Sequence, residues 1–314
     1  MNEQRASEEA SNLQSKDRLG RLLTAMVTPF DAQGGVDYQQ AGKLALSLLD
    51  SGSDGVVVSG TTGECPTLSR EEKLRLFAET KSVVANRGTV VAGTGSYDTR
   101  ESRELTREAE KTGIDAFLLV VPYYNRPTQQ GLWEHFRAIA ESTSLPCILY
   151  NVPSRTVTNL AADTVVRLSQ IDNIVGIKEA SSNLGQVAEI IHRTKEDFLV
   201  YSGNDSDTFS ILALGGYGVI SVASHLVGRQ MKYMINRLLD GDVQEAAKIH
   251  QRLLPLMNAL LVVSNPMPVK WALNSLGFSV GRPRLPLMEP DEKSASLIQV
   301  TLKDYQIDLP IPRD

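Results

Sequence analysis

The chain alternates short apolar runs with longer amphipathic segments, and this rhythm restricts the folds it can form. The apolar runs are LLTAMV, GVVVSG, TVVAGTG, AFLLVVP, CILYNVP, IVGIKEA, FLVYSG and GVISV. Their C-terminal ends lie near Thr28, Gly60, Gly93, Pro122, Asn151, Lys178, Gly203 and Ser221. Successive ends are roughly 18 to 33 residues apart, a spacing that suits one strand followed by one helix. The sequence therefore predicts eight strand–helix units.

Helix signals fill the segments between the runs. Residues 69–88 open with Ser69 and Glu72 in capping-box spacing, and the predicted helix stops at Gly88. Residues 98–113 repeat this pattern and also end in a glycine. Strands made almost wholly of Val, Ile and Leu that alternate with helices indicate a parallel sheet covered by helices. Eight units favour a closed (β/α)8 TIM barrel over an open doubly wound sheet, because the sequence lacks both common phosphate-binding glycine motifs.

The strand pattern ends near residue 243, and two helical patterns follow it. We expect a loose N-terminal tail over residues 1–20, the barrel over 21–243 and a C-terminal helical region over 244–314. The tail is polar and lacks the apolar core of a secretory signal. The most apolar later run, 253–263, is too short to span a membrane. The expected location is therefore the cytoplasm.

Composition argues against several classes of partner. The chain is 42% hydrophobic and 22% charged, with a formal net charge of -5. It has no cluster of Lys and Arg, so we expect no nucleic-acid or membrane partner. Neither Cys65 and Cys147 nor the histidines have metal-ligand spacing, and no phosphate loop of a pyridoxal phosphate enzyme is present. We therefore expect no metal and no cofactor. The histidines are His135, His192, His225 and His250.

Lys178 is unusual because it lies within the apolar run IVGIKEA. In a (β/α)8 barrel, side chains at the C-terminal ends of strands line the active site. Strand alternation predicts that Lys178 points inward together with Ile174 and Gly176, while Val175 and Ile177 point outward. On this interpretation Gly176 leaves room beneath the lysine.

Burial would give Lys178 a chemical role. A lysine with a normal pKa of about 10.4 is almost never neutral at pH 7, whereas desolvation lowers that pKa. A neutral amine can attack a ketone and form a Schiff base. The alternatives are that a carboxylate such as Glu179 holds Lys178 in its charged form, or that the lysine reaches out to the rim.

Polar side chains collect at neighbouring strand ends. Tyr150 could supply a phenol for proton transfer, and Thr61, Thr62 and Tyr124 could extend a relay of hydroxyls. Taken singly, each could be an ordinary turn or rim residue. The segment GTTGE also offers backbone N–H groups to a carboxylate, and Arg155 can bind a second carboxylate. Two carboxylate sites and one lysine suggest a keto acid that joins another acid.

The chain resembles a known family through several motifs in the same order. They are GTTGE, PYYNRPTQQG, YNVPSRT, GIKEAS, YSGND, GVISV, NPMPVKWAL and RLPL, which together span roughly residues 22–288. They are similar to those of the class I aldolase family of dihydrodipicolinate synthase and N-acetylneuraminate lyase. The resemblance implies a pyruvate Schiff base on Lys178, with Tyr150 as general acid/base. It also implies a relay through Thr61 and Tyr124, with Tyr124 reaching a neighbouring subunit's site in a homotetramer built from two tight dimers.

The resemblance further implies the binding residues and the subgroup. Thr62 would hold the pyruvate carboxylate, and Gly203 and Ile220 would contribute backbone around the keto acid. Arg155 and Thr61 are typical of the synthases, in which the arginine binds L-aspartate 4-semialdehyde. The implied reaction is condensation of pyruvate with this aldehyde, the committed step towards diaminopimelate and lysine. Two alternatives are cleavage of a 2-keto-3-deoxy sugar acid or sialic acid, and a non-catalytic keto-acid-binding regulator.

The resemblance extends to a possible effector site. Tyr97 and Glu101 occupy positions that resemble a lysine-binding region near a dimer interface. Synthases that lysine inhibits strongly often carry histidines on the helix after GTTGE, whereas this chain has Arg70 and Lys73 there. Added cations disfavour a cationic effector. We therefore expect weak or absent inhibition by lysine.

Overall fold

The strands form a closed parallel barrel. A computed structural model describes residues 19–311. Its strands are β1 (Leu22–Ala25), β2 (Gly55–Val58), β3 (Thr89–Gly93), β4 (Ala116–Val120), β5 (Cys147–Asn151), β6 (Ile174–Glu179), β7 (Leu199–Ser202) and β8 (Gly218–Ser221). Each strand pairs in parallel with the next in sequence, and β1 pairs with β8 to close the barrel. The predicted (β/α)8 fold is confirmed.

Helices follow the strands and continue beyond the barrel. They are α1 (Tyr38–Asp50), α2 (Arg70–Val84), α3 (Thr99–Glu110), α4 (Gln129–Ala140), α5 (Pro153–Thr156), α6 (Ala162–Leu168), α7 (Leu184–Arg193), α8 (Thr208–Ala213), α9 (Ser224–Leu239), α10 (Val243–Ala259), α11 (Met267–Ser275) and α12 (Glu292–Leu302). The last three lie in the region predicted to be helical. Between residues 19 and 311 no helix is both long and apolar enough to cross a membrane. Apart from Leu19 and Gly20, the predicted tail lies outside the described residues.

The apolar side chains form an inner and an outer layer. Alternate residues of the strands, such as Val57, Val91 and Ile148, pack together inside the barrel. The intervening residues, such as Val56 and Val90, pack outward against the helices. This two-residue alternation is what allows both faces of a strand to be buried.

Strand β6 contains a bulge that changes which side chains face inward. Cys147 lies opposite Ile174, but the next residue, Ile148, lies opposite Gly176, so Val175 is an extra residue. Ile174 therefore packs in the outer layer, and Val175 packs against the inner one. The predicted orientations of these two residues are wrong, because one inserted residue inverts the alternation on its N-terminal side.

Beyond the bulge the strand follows the predicted alternation. Ile177 packs in the outer layer, and Lys178 lies opposite Tyr150, whose side chain belongs to the inner layer. A Cβ atom on Gly176 would lie 2.4 Å from the carbonyl oxygen of Leu199. Glycine is therefore required here by the close approach of the β7 backbone.

The helix starts agree with the sequence signals better than the helix ends do. The Ser69 side chain accepts from the backbone N–H of Glu72, and the Glu72 side chain accepts from that of Ser69, so the predicted capping box is present. Helix α2 nevertheless ends at Val84, before the predicted stop at Gly88, because Ala85 takes a positive φ of 49°. A residue with positive φ cannot continue an α-helix, and alanine gives no indication in the sequence that it will adopt one.

Candidate active site

Lys178 and Tyr150 meet at the C-terminal end of the barrel. They occupy paired positions on β6 and β5, and the Lys178 Nζ atom lies 4.5 Å from the centre of the Tyr150 ring. Only 5% of Lys178 is exposed. The lysine therefore does not reach out to the solvent at the rim, which removes one of the alternatives considered for it.

Burial makes the Lys178 amine easier to deprotonate. Desolvation lowers the pKa of Lys178 to about 8; Asp205 opposes this shift and Arg155 adds to it. With such a pKa roughly one lysine in ten is neutral at pH 7, compared with a few in ten thousand for an exposed lysine. This fraction is large enough for the amine to act as a nucleophile.

Glu179 does not provide a counter-ion for Lys178. Its carboxylate accepts from the Asn151 side chain at 3.1 Å, from the Ser181 backbone N–H at 2.8 Å and from the Gln186 side chain at 3.0 Å. The alternative in which Glu179 holds Lys178 charged is therefore wrong.

Tyr150 contacts the loop that follows β2. Burial raises the pKa of Tyr150, while Arg155 and a hydrogen bond with the Thr61 side chain lower it. Thr61, Tyr150 and Cys65 line one small cavity. The structure thus brings together Lys178, Tyr150 and Thr61, three of the four residues predicted to be catalytic.

Thr62 and Arg155 both contact the segment before α11. The buried Thr62 hydroxyl accepts from the Asn265 side chain at 2.9 Å. Arg155 lies on the short helix α5, is exposed, and donates to the Asn265 carbonyl at 3.4 Å. Because Arg155 influences the pKa values of both Lys178 and Tyr150, its charge lies within electrostatic reach of the barrel mouth.

Tyr124 and the predicted effector residues lie on the surface. Tyr124 is 92% exposed and has a φ of 75°, so its hydroxyl is not packed into the barrel mouth of its own chain. Tyr97 is half exposed and packs edge-on against Tyr123, with 5.2 Å between the ring centres. Glu101 lies in the first turn of α3 and accepts from the Ser96 hydroxyl at 3.4 Å.

Gly203 and Ile220 lie at the ends of β7 and β8. The Gly203 N–H donates to the Glu179 carbonyl at 2.7 Å, so only its own carbonyl is left to face a ligand. A Cβ atom there would lie 2.6 Å from that of Ala180. Ile220 is fully buried in the inner layer.

Asp205 is a candidate that sequence reasoning missed. Its buried carboxylate accepts from the backbone N–H groups of Val222 and Ala223 at 3.0 and 2.8 Å. It is the carboxylate that raises the pKa of Lys178. The sequence signal for Asp205 was its position two residues past the predicted strand end at Gly203. Its proximity to Lys178 could not be read from the sequence, because it depends on the pairing of β7 with β6.

The thiols and the potential metal ligands do not form a further site. Both cysteines are free, and burial raises the pKa of Cys147 to about 12. Across residues 19–311, no group of three or more His, Cys, Asp or Glu side chains could hold a metal ion.

Fold and site together define a class of enzyme. A deprotonatable lysine at the end of a strand in a (β/α)8 barrel, beside a tyrosine, is the arrangement of a lyase of the class I aldolase type. The model of the dihydrodipicolinate synthetase family matches residues 18–305, and the chain belongs to that family.

Similar proteins carry a consistent name. A 4-hydroxy-tetrahydrodipicolinate synthase from Dehalococcoides mccartyi is 63% identical over 93% of this chain and 99% of its own. One from Moorella thermoacetica is 53% identical over 91% and 98%. A crystal structure of a dihydrodipicolinate synthase from Bacillus anthracis is 46% identical with a TM-score of 0.89, over 94% of this chain and 99% of that one. One from Cyanidioschyzon merolae with lysine bound is also 46% identical, with a TM-score of 0.90, over 91% and 98%.

Proposed function

We propose that this chain catalyses the condensation of pyruvate with L-aspartate 4-semialdehyde to give 4-hydroxy-tetrahydrodipicolinate, in the pathway to diaminopimelate and lysine. The observation that carries the proposal is the buried Lys178 amine, with its pKa lowered to about 8, beside the Tyr150 ring. The names of relatives more than 60% identical support the substrate pair.

The chemistry begins at Lys178. Its neutral amine attacks the ketone carbon of pyruvate, the carbinolamine loses water, and an imine forms. Loss of a proton from the methyl carbon gives an enamine, which adds to the aldehyde carbon of the second substrate. The amino group of that substrate then displaces Lys178 from the imine carbon and closes the ring. One water is released, and the lysine is regenerated.

Tyr150 and Thr61 would move the protons in these steps. The phenol and the Thr61 hydroxyl line the same small cavity, and the Thr61 side chain lowers the pKa of the phenol. The raised pKa of Tyr150 keeps the phenol protonated, so it can donate to the leaving hydroxyl of the carbinolamine and recover the proton later. The 92% exposure of Tyr124 fits a residue that completes this relay in a neighbouring subunit.

Two cationic or donor-rich positions fit the two substrate carboxylates. The loop with Thr62 offers a hydroxyl and backbone N–H groups to pyruvate, and Gly203 and Ile220 border the same mouth. Arg155 is exposed, so its guanidinium is available to the carboxylate of the aldehyde. A sugar-acid lyase needs donors for several hydroxyls instead, and no observation at the site favours that function.

The proposed working form is a homotetramer built from two dimers, which has no bound cofactor or metal and is located in the cytoplasm. The exposed Tyr124 is the feature that supports an assembly. Its positive φ carries backbone strain, and contacts of its ring with a neighbouring subunit would offset that strain. Light scattering should give four chains per particle. Tyr124→Phe should reduce turnover without changing that mass, and chelation should leave activity unchanged.

A coupled assay tests the reaction itself. Dihydrodipicolinate reductase should consume NADPH only when this protein, pyruvate and L-aspartate 4-semialdehyde are all present. Borohydride with pyruvate should add one reduced pyruvyl group to Lys178 by peptide mass, and Lys178→Ala should abolish this adduct. Trapping without coupled activity would mean that the imine chemistry is correct and that the aldehyde is another one.

A further inference from the structure

A buried ion pair lies beneath the loop that follows β2. Lys270 on α11 donates from Nζ to Glu64 Oε1 at 2.8 Å, and neither side chain has any exposed surface. Glu64 ends the segment GTTGE, whereas Lys270 belongs to the helices that follow the barrel. The pair therefore joins the barrel mouth to the C-terminal region across 206 residues of sequence.

Both members of the pair have their remaining hydrogen-bonding groups engaged. Lys270 also donates to the carbonyls of Thr28 at 3.0 Å and Arg282 at 3.3 Å. The second oxygen of Glu64 accepts from the backbone N–H of Arg284 at 2.8 Å. Burying two charges is costly, and such pairs contribute little net stability over a packed apolar pair. Stability alone is therefore a poor explanation for this one.

The pair acts on a loop that is held away from relaxed backbone geometry. Both ends of that loop, Ser59 and Glu64, have positive φ angles of 57° and 56°. Residues other than glycine stay in this region only where the surroundings hold them. Two further hydrogen bonds do so: the Thr28 hydroxyl donates to the Gly63 carbonyl at 2.7 Å, and Asn265 donates to Thr62.

The pair also neutralises the Glu64 carboxylate next to the loop that would bind pyruvate. Glu64 follows directly after the residues that would receive the pyruvate carboxylate. An unpaired carboxylate there would repel a second one. With Lys270 at 2.8 Å, the pair is neutral overall, so the loop can present its N–H groups and hydroxyls to an anion.

We propose that Lys270 and Glu64 are positioning residues for pyruvate: they fix the backbone and hydroxyls of the loop from Gly60 to Gly63 in the geometry that binds the keto-acid carboxylate. This inference rests on the proposed function, because it assumes that pyruvate is the anion bound there. Neither residue contacts the reacting atoms, so their effect is on pyruvate affinity rather than on the chemical steps at Lys178.

The test replaces the pair by a neutral one. In Glu64→Gln/Lys270→Met the glutamine oxygen can still accept from Arg284, and its amide group can donate towards the carbonyl of Thr28 or of Arg282. The measurement is the pyruvate concentration that gives half-maximal borohydride trapping. We expect this concentration to rise about tenfold or more, the effect of misplacing one hydrogen bond to a charged group. The pH dependence of trapping should stay as in the wild type.

A matched control removes an ion pair from the other end of the barrel. Lys81 donates to both oxygens of Asp115, at 2.7 and 2.8 Å. The variant Lys81→Met/Asp115→Asn loses an ion pair far from the mouth, one that is more exposed than the Glu64–Lys270 pair, with 20% and 36% of the two side chains accessible. Its half-saturating pyruvate concentration should match that of the wild type, even if its thermal stability falls.

The outcomes separate this inference from the proposed function. A wild-type chain that borohydride does not trap would overturn the proposed function. A trapped wild type whose half-saturating concentration is unchanged in the Glu64→Gln/Lys270→Met variant would overturn the positioning role. If that variant does not fold, Glu64→Asp replaces it, because it keeps both charges while shortening the side chain that holds the loop, and the same rise is expected.

Discussion

Lys178→Met should make the protein more stable at neutral pH while abolishing its chemistry. Burial lowers the pKa of Lys178 from 10.5 to about 8. At ~1.4 kcal/mol per pH unit, the folded state bears a cost of about 3 kcal/mol for the charged amine. Methionine has a similar length and no charge, so the substitution removes this cost. Asp205 reduces the gain, because its buried carboxylate loses a neighbouring cation.

The sign of the pH dependence follows from linkage. The pKa of Lys178 is lower in the folded state than in the unfolded state, so between pH 8 and 10.5 the unfolded state binds more protons. The free energy of unfolding of the wild type therefore rises with pH over this window. Below pH 8 the wild type bears the full cost of burying the charged amine. The stabilisation by Lys178→Met should be largest at or below pH 7, should be much smaller at pH 10 and should disappear above about pH 10.5.

Chemical denaturation at pH 7 and pH 10, at one fixed protein concentration, measures this difference. Titrating groups that do not interact with Lys178 are common to wild type and variant, so they cancel in the comparison. The double variant Lys178→Met/Asp205→Asn removes the stranded carboxylate and should be at least as stable at pH 7 as the single variant. A single variant that is less stable than wild type at pH 7, or whose effect does not change with pH, would refute the reasoning.

Three further predictions concern activity. Tyr150→Phe should lower turnover by about 10²- to 10⁴-fold through loss of proton transfer, measured by the coupled assay, with folding checked by circular dichroism; an unchanged rate would exclude the phenol. Arg155→Met should raise the KM for the aldehyde about tenfold or more while pyruvate trapping remains; an unchanged KM would locate the second carboxylate elsewhere. Submillimolar L-lysine should not inhibit the coupled assay, because Arg70 and Lys73 disfavour a cation. Potent inhibition would contradict this and would mean that Glu104 and Glu108, which accept hydrogen bonds from Arg70, offset its charge.

The strand pattern was predictable because burial on both faces leaves a strong apolar signature. All eight predicted strands exist, and the capping box at Ser69 marks the start of α2. The bulge at Val175 was not predictable, since an extra residue in an apolar run leaves the composition unchanged. The end of α2 at Val84 was missed for a similar reason, because Ala85 takes a backbone conformation that alanine does not announce.

The candidate site also has features that the sequence shows and features that only the structure shows. Lys178, Tyr150 and Arg155 stand out in the sequence because charged or phenolic groups next to apolar runs are unusual. The lowered pKa of Lys178 needs the closed barrel, which removes water from the amine. The same closure brings Asp205, whose charge opposes this shift, within electrostatic reach.

Sequence by itself determined the number of strand–helix units and the family, and it singled out Lys178 as the candidate lysine, because these depend on local pattern and residue chemistry. Tertiary structure alone decided which way β6 turns its side chains, that Glu179 faces away from Lys178, and that Lys270 meets Glu64. Those properties depend on contacts between residues up to 206 positions apart. Dehydration and electrostatic pairing follow from such contacts, and they arise only when the chain has closed on itself.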